Sequence, residues 1–294
     1  MIRVENSKNL ITKVLLALSK KIFPNTLYPK ILFYRASKKF KREINKKKSL
    51  QTFSEKLDDI NKYEYKITSQ NNEDGIIDYL FSKIPNNKKF IEIGFDFYEF
   101  NSLNLIKKGW NGKLIEYNKI ECLVLSQLIK HYFTNSKVII QNCKVTKDNI
   151  NKIINYSDDS QIDFFSLDID GNDYWILKSL DLNKVKVICC EYNHWLGKDI
   201  KKTVPYNANH VYSEEGYYGA SLLALNNLLE KKGFDLVAVE SSGTNAFFVN
   251  KKFSNNFIKL SPIDSWKSGG RFYTPEQKKE IANSIRNFKF LNVD

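Results

Sequence analysis

Short apolar runs alternate with helical periodicities from residue 65 onward, which predicts an α/β fold with a mostly parallel sheet. Two further observations define its type. The runs at 162–169 (IDFFSLDI) and 185–192 (VKVICCEY) are almost wholly apolar, as central strands buried on both faces must be. The runs at 235–240 and 245–250 are separated only by Ser241-Ser242-Gly243-Thr244, too short for a crossover helix, so they form an antiparallel hairpin.

The elements follow in order. A helix over 76–84, stopped by Pro85-Asn86-Asn87, precedes a first strand over 89–94 (KFIEIG). Next come helix 101–108, strand 112–117, amphipathic helix 120–132, strand 137–141 and helix 148–154. The apolar strand 162–169 leads to helix 173–182 and then to strand 185–192. A polar connection over 194–215 precedes helix 220–232 and the hairpin. This is a Rossmann-like three-layer sandwich: a mostly parallel seven-stranded sheet ending in an antiparallel β-hairpin. The chain divides into a basic helical arm (1–64), the α/β domain (65–255) and a helical C-terminal extension (256–294).

Hydrophobic residues form 42% of the chain and aromatic residues 14%, enough for a packed core and against global disorder. The four cysteines, Cys122, Cys143, Cys189 and Cys190, show no metal-ligand spacing. Cys189 and Cys190 should point to opposite faces of a strand as small buried hydrophobes. With no signal peptide and no apolar run long enough to span a bilayer, a reducing, cytoplasmic setting is expected.

Charge is unevenly placed. Residues 1–50 carry 14 Lys/Arg against Glu5 and Glu43, which is nearly all of the net +13. Within this arm, Leu10, Ile11, Val14, Leu15 and Leu18 have helical spacing, with Ser7 as N-cap and Pro24 as stop. A second helix over 28–45 spaces Leu32, Ala36, Phe40 and Ile44 four apart, opposite Arg35, Lys38, Lys39, Lys41 and Arg42. Two readings stand: peripheral contact with the anionic inner face of a membrane through residues 1–50, or packing on the body with a solvated lysine face. Specific nucleic-acid binding is not expected, because stacking aromatics are not interleaved with the charges.

In open parallel sheets a ligand sits off the carboxyl ends of the strands, beside the first strand. Here the sequence runs from Glu92-Ile93-Gly94 through Phe95, Asp96, Phe97 and Tyr98 to Asn101-Ser102. Gly94 serves the turn, but the bulky residues after it oppose the close approach of a pyrophosphate. S-adenosylmethionine has no phosphate and tolerates such a loop. Glu92, Gly94 and Ser102 are the candidate cofactor contacts in this segment. Glu116, 24 residues after Glu92 at the end of the second strand, can accept both ribose hydroxyls. Asn142, after the third strand, is placed to meet the adenine.

The fourth strand ends in Asp168-Ile169-Asp170-Gly171-Asn172-Asp173. Asp168 and Asp170, with Glu191 at the end of the fifth strand, are candidate ligands for a hard divalent cation, Mg2+ or Mn2+. Asp168 is also placed to orient the methionine ammonium of the cofactor. Asp168, Asp170 and His194 are the candidate proton acceptors. The plainer account makes Asp170-Gly171-Asn172 turn chemistry and Asp173 a helix N-terminal charge.

These residues carry a resemblance. Ser69-Gln70 with Glu73-Asp74-Gly75, the EIG segment, Asn101-Ser102 and Gly109-Trp110-Asn111-Gly112 resemble FkbM-type and related class I S-adenosylmethionine-dependent methyltransferases. So do LDIDGNDYW (167–175), EYN (191–193), Tyr218-Gly219-Ala220-Ser221-Leu222 and the segment from Gly243 to Val249. Such enzymes usually carry a second glycine where Asp96 stands. The resemblance implies O-methylation of a sugar or other hydroxyl-bearing metabolite in surface polysaccharide biosynthesis, with Gln70 and Asp74 capping the cofactor pocket. The acceptor would meet 194–216, including Trp195, Lys198, Lys201, Lys202 and Tyr206. Two alternatives remain open: a metal-dependent nucleotide-sugar glycosyltransferase using Asp168-Ile169-Asp170, and a non-catalytic methyltransferase-fold scaffold at a membrane surface.

Overall fold

The structure is a computed structural model describing residues 19–23, 26–46, 59–154, 161–212, 216–269 and 273–294. Of the helix expected between Ser7 and Pro24 only residues 19–22 are described, and they are helical; the rest of it and its stop at Pro24 lie outside the described residues. Strands β1 (Lys89–Ile93), β2 (Asn111–Glu116), β3 (Val138–Asn142), β4 (Ile162–Leu167) and β5 (Val185–Glu191) run parallel. After a short β6 (Lys202–Thr203) outside the sheet come β7 (Phe234–Val239) and β8 (Asn245–Asn250). The order across the sheet is β3-β2-β1-β4-β5-β8-β7. The hairpin is antiparallel as expected, and β8 inserts beside β5, antiparallel to it. The fold is thus Rossmann-like, a mostly parallel seven-stranded sheet with an antiparallel edge. Order reverses between β1 and β4, which opens a crevice at their carboxyl ends.

Burial explains the order. Every residue of β4 is buried, and in β5 all but Glu191; in β3, an outer strand, none is. Neighbouring side chains go to opposite faces: Phe90 and Cys189 join one apolar cluster, Ile91 and Cys190 the other. The first cluster is covered by α2 (Glu73–Lys83), α3 (Leu103–Lys107) and α4 (Lys119–Tyr132), following α1 (Leu27–Asn45) in the chain. The second is covered by α5 (Ile150–Ile154), α6 (Asp173–Ser179) and α7 (Leu222–Lys231). Side-chain caps begin two of these helices: Asn118 accepts from the Ile120 and Glu121 amides, and Ser221 from Ala224.

The arm's described helix packs on the body. Leu32, Ala36 and Phe40 of α1 are buried against α4. Phe40 lies 5.7 Å from the Tyr132 ring, and Ser37 Oγ lies 2.6 Å from the Tyr132 hydroxyl. Residues 256–294 are less helical than expected. They hold α9 (Pro262–Ser265) and α10 (Pro275–Ser284), preceded in the chain by α8 (Lys251–Ser254), and end in β9 (Leu291–Asn292), which pairs antiparallel with β6. Backbone pairing, invisible to helical periodicity, draws residues 291–292 back onto Lys202–Thr203. Among the described residues no helix is long and apolar enough to cross a membrane.

Candidate functional site

Gly94 sets the geometry. Its φ is +76°, and a Cβ there would stand 1.5 Å from the Asp168 carbonyl oxygen, so β1 and β4 diverge around a residue that must lack a side chain. Asp96 does not share this demand. Its φ is not positive, and its Oδ1 accepts the Tyr98 amide at 2.6 Å in a tight turn. The loop thus turns through an aspartate side chain, with no positive φ at position 96.

Glu92 holds the far end of that loop. Its carboxylate accepts the amides of Asn101 and Ser102, each at 2.8 Å, and the Ser102 hydroxyl. Burial pushes its pKa up to about 7 against these bonds. Ser102 itself does not line the cavity; it anchors Glu92 underneath. Asp74 is likewise beneath the wall. Fully buried, it accepts the amides of Ile67, Thr68 and Ser69 at 2.7–3.0 Å and so shapes the loop that presents Gln70.

The resulting cavity has a volume near 620 Å³ and opens at the carboxyl ends of β1, β2, β4 and β5. Gln70, Glu92, Gly94, Glu116, Asp168, Asp170 and Glu191 all reach it. Glu116 is half-buried, with a pKa raised by burial, and takes the Asn118 amide at 2.7 Å. Two expected residues are elsewhere. Asn142 is exposed, its amide tied back to the carbonyls of Glu116 and Tyr117 at 2.9 and 2.7 Å; Cys143, Lys144 and Val145 occupy the wall instead. His194 packs against Trp195 and Gly269, away from the cavity, and burial followed by the nearby Lys278 lowers its pKa to about 4. The histidine at the cavity is His210, whose Nε2 lies 3.1 Å from the Asp170 carbonyl oxygen. Among the described residues of the segment expected at the acceptor, only His210 and Val211 line the cavity; Trp195, Lys198, Lys201, Lys202 and Tyr206 do not.

On the β4–β5 side, carboxylate oxygens of Asp168, Asp170 and Glu191 lie within 4.8 Å of one another. Burial, then repulsion from neighbouring carboxylates, raises Asp168 and Glu191 well above the usual range. Asp173 is separate from this group: it accepts the amides of Ile169 and Gly171 at 2.9 and 3.0 Å, closing the turn in which Asp170 adopts φ +53°. The sequence marks 170–172 as turn chemistry and Asp173 as a helix N-terminal charge; Asp173 does open α6, and its carboxylate also holds that turn closed.

Several wall residues escaped sequence reasoning. Lys39, from α1, lines the cavity and bridges to Glu99 at 2.7 Å, while Lys66 reaches the same carboxylate at 3.2 Å. Burial opposes ionisation of Glu99, but the two lysines hold its pKa below the ordinary value. Glu121, three residues after the Asn118 cap, accepts the Phe97 amide at 3.2 Å, and burial lifts it to about 7. Asn245 stands opposite Glu191 in the β5–β8 register and donates to the buried Glu73 at 2.8 Å. A scan for polar residues at helix starts and strand ends would have raised Glu121 and Asn245; nothing local marks Lys39.

No protein-family model and no curated protein sequence matches the chain. Among solved structures it is similar to the N-terminal domain of EvdMO1 with SAH bound, at 12% identity and TM-score 0.42, covering 62% of this chain and 80% of that one. The same domain in the presence of SAH and D-fucose gives 13% identity and TM-score 0.42, over 74% and 94%. The magnesium protoporphyrin IX methyltransferase ChlM from Synechocystis PCC 6803 with bound SAM gives 8% identity and TM-score 0.40, over 60% and 77%.

Proposed function

We propose that the chain is an S-adenosylmethionine-dependent O-methyltransferase acting on a hydroxyl-bearing metabolite, a sugar or an acidic relative of one, as its FkbM-type motifs suggest. The observation that carries this reading is one cavity joining the Gly94 turn, bulky beyond the glycine, to Glu116 at the end of β2. Its volume falls within the roughly 300–1,000 Å³ typical of small-molecule sites. Glu116 would accept the ribose hydroxyls, Cys143 and Val145 would flank the base, and Gln70 and Asp168 would meet the amino-acid end.

When bound, the cofactor supplies an electron-poor methyl carbon on a cationic sulfur. The chain's own work is to position the acceptor hydroxyl and take its proton. The Asp168–Glu191 pair suits that task, since its raised proton affinity makes it a stronger base than an ordinary carboxylate. The same oxygens, with Asp170, form the donor set that Mg2+ or Mn2+ would take, and a cation there would acidify the hydroxyl. Lys39 and Lys144 on the wall suit an acidic acceptor.

Calorimetry with S-adenosylhomocysteine tests the reading. Saturable binding and a raised thermal midpoint are expected; no heat and no shift at millimolar ligand would sink it. The carboxylate triad also favours a second reading, a nucleotide-sugar glycosyltransferase. Manganese-dependent stabilisation by a nucleotide sugar, with none by S-adenosylmethionine, selects that one.

A further inference from the structure

Packing against α4 fixes which side of α1 faces outward. With Leu32, Ala36 and Phe40 turned inward, the outer stripe is Leu27, Lys30, Tyr34, Lys38 and Lys41. Leu27 is 44% exposed and Tyr34 64%; before the helix, Ile22, which ends the helical segment 19–22, and Phe23, which follows it, are 58% and 51% exposed. Four large exposed hydrophobics thus fall between residues 22 and 34. They lie among exposed Lys20, Lys21, Lys30, Arg35, Lys38, Lys41 and Arg42. No acidic residue occurs between 19 and 42, and Glu43 is buried against Arg42 and Lys46.

A merely solvated lysine face needs no such apolar side chains. A helix lying in a lipid interface needs both: cations for anionic headgroups, and aliphatic and aromatic groups that enter the acyl boundary. Tyr34, with Lys38 Nζ 4.8 Å from its ring centroid, has an apolar body and a polar end suited to that depth. Nucleic acid would use the cations and stack on Phe23 or Tyr34, but would leave Ile22 and Leu27 in water.

We propose that Ile22 and Phe23, together with the outer stripe of α1, form a platform that binds an anionic lipid bilayer. Chemical complementarity singles out this occupant, and the proposal is independent of how the cavity is read. Lys39, on the flank of the same helix, lines the cavity, so the platform and the cavity rim share one element.

Co-sedimentation of the full chain tests this with two vesicle types: phosphatidylcholine alone, and phosphatidylcholine with about a third phosphatidylglycerol. Two variants separate charge from insertion: Lys30→Glu/Lys38→Glu/Lys41→Glu, and Ile22→Ser/Phe23→Ser/Leu27→Ser. The wild type should bind the anionic vesicles at least tenfold better than the neutral ones. Each variant should lose about tenfold in that binding while keeping the wild-type circular dichroism spectrum and thermal midpoint. Equal binding to both vesicle types, or none to either, overturns the proposal. So does wild-type binding by either variant. Loss in the charge variant alone identifies a polyanion surface, and competition by single-stranded RNA would then assign it to nucleic acid.

Discussion

The two ends of the β4–β5 pair place buried carboxylates in opposite circumstances. At the amino end, Asp163 is fully buried, accepts the Asn87 and Lys89 amides at 2.9 Å each, and pairs with Lys186 at 2.8 Å. At the carboxyl end, Asp168 and Glu191 crowd together with Asp170, and no salt bridge joins either of them to a cation among the described residues. The amino end is complete as it stands. The other end concentrates negative charge where burial makes it costly, which is the pattern of a site awaiting a proton or a cation.

The largest effect expected from this contrast is at the complete end. Lys186→Met should cost about 3–5 kcal/mol in denaturant unfolding, because it strands Asp163 as an uncompensated buried charge. A loss below about 1 kcal/mol would show that Asp163 is solvated after all. Gly94→Ala comes next, at roughly 3 kcal/mol, since a Cβ cannot share space with the Asp168 carbonyl and φ is positive. It should abolish binding of S-adenosylhomocysteine as well.

Glu116→Ala should weaken that binding by about ten- to a hundredfold with little change in stability. Unchanged affinity would move the ribose elsewhere in the cavity. Asp168→Asn and Glu191→Gln should behave opposite to Lys186→Met. Because both groups have raised pKa values, wild-type stability falls as pH climbs from the ordinary carboxylate range through those values. The neutral variants escape that loss, so at pH 8 they should melt at or above the wild type, by about 1 kcal/mol, and lose any stabilisation by manganese. Destabilisation at pH 8 would mean that the triad is already neutralised in the folded protein. The smallest effect is at Glu121, whose pKa of about 7 gives the same sign. Glu121→Gln should raise the thermal midpoint by a few degrees above pH 7, with the gain vanishing below the unfolded value near 4.5.

How legible the site was depended on which contacts carried each residue. Gly94, Glu116, Asp168, Asp170 and Glu191 sit at or just past strand ends, and a parallel sheet sends all such ends to one edge, so periodicity sufficed. Asn142 and His194 satisfy the same rule and yet miss the cavity. Asn142 folds back onto the β2 carbonyls, and His194 turns under Trp195 in a three-residue 3-10 turn. Asp74 and Ser102 do their work one layer below the wall, holding the loop of Gln70 and the carboxylate of Glu92. Side-chain direction after a strand is set by local hydrogen bonding that spacing does not encode.

By itself, the sequence determined the βα rhythm, the closing hairpin, the opposite faces of Cys189 and Cys190 and the strand-end acids, because these follow from period, apolarity and connection length. Only the tertiary structure decided that β8 enters beside β5, that the chain's end returns as β9 to β6, and that Lys39 of the basic arm closes onto Glu99 at the rim. Those contacts join residues about sixty or more apart, and their partners are selected by how whole elements pack rather than by any pattern along the chain.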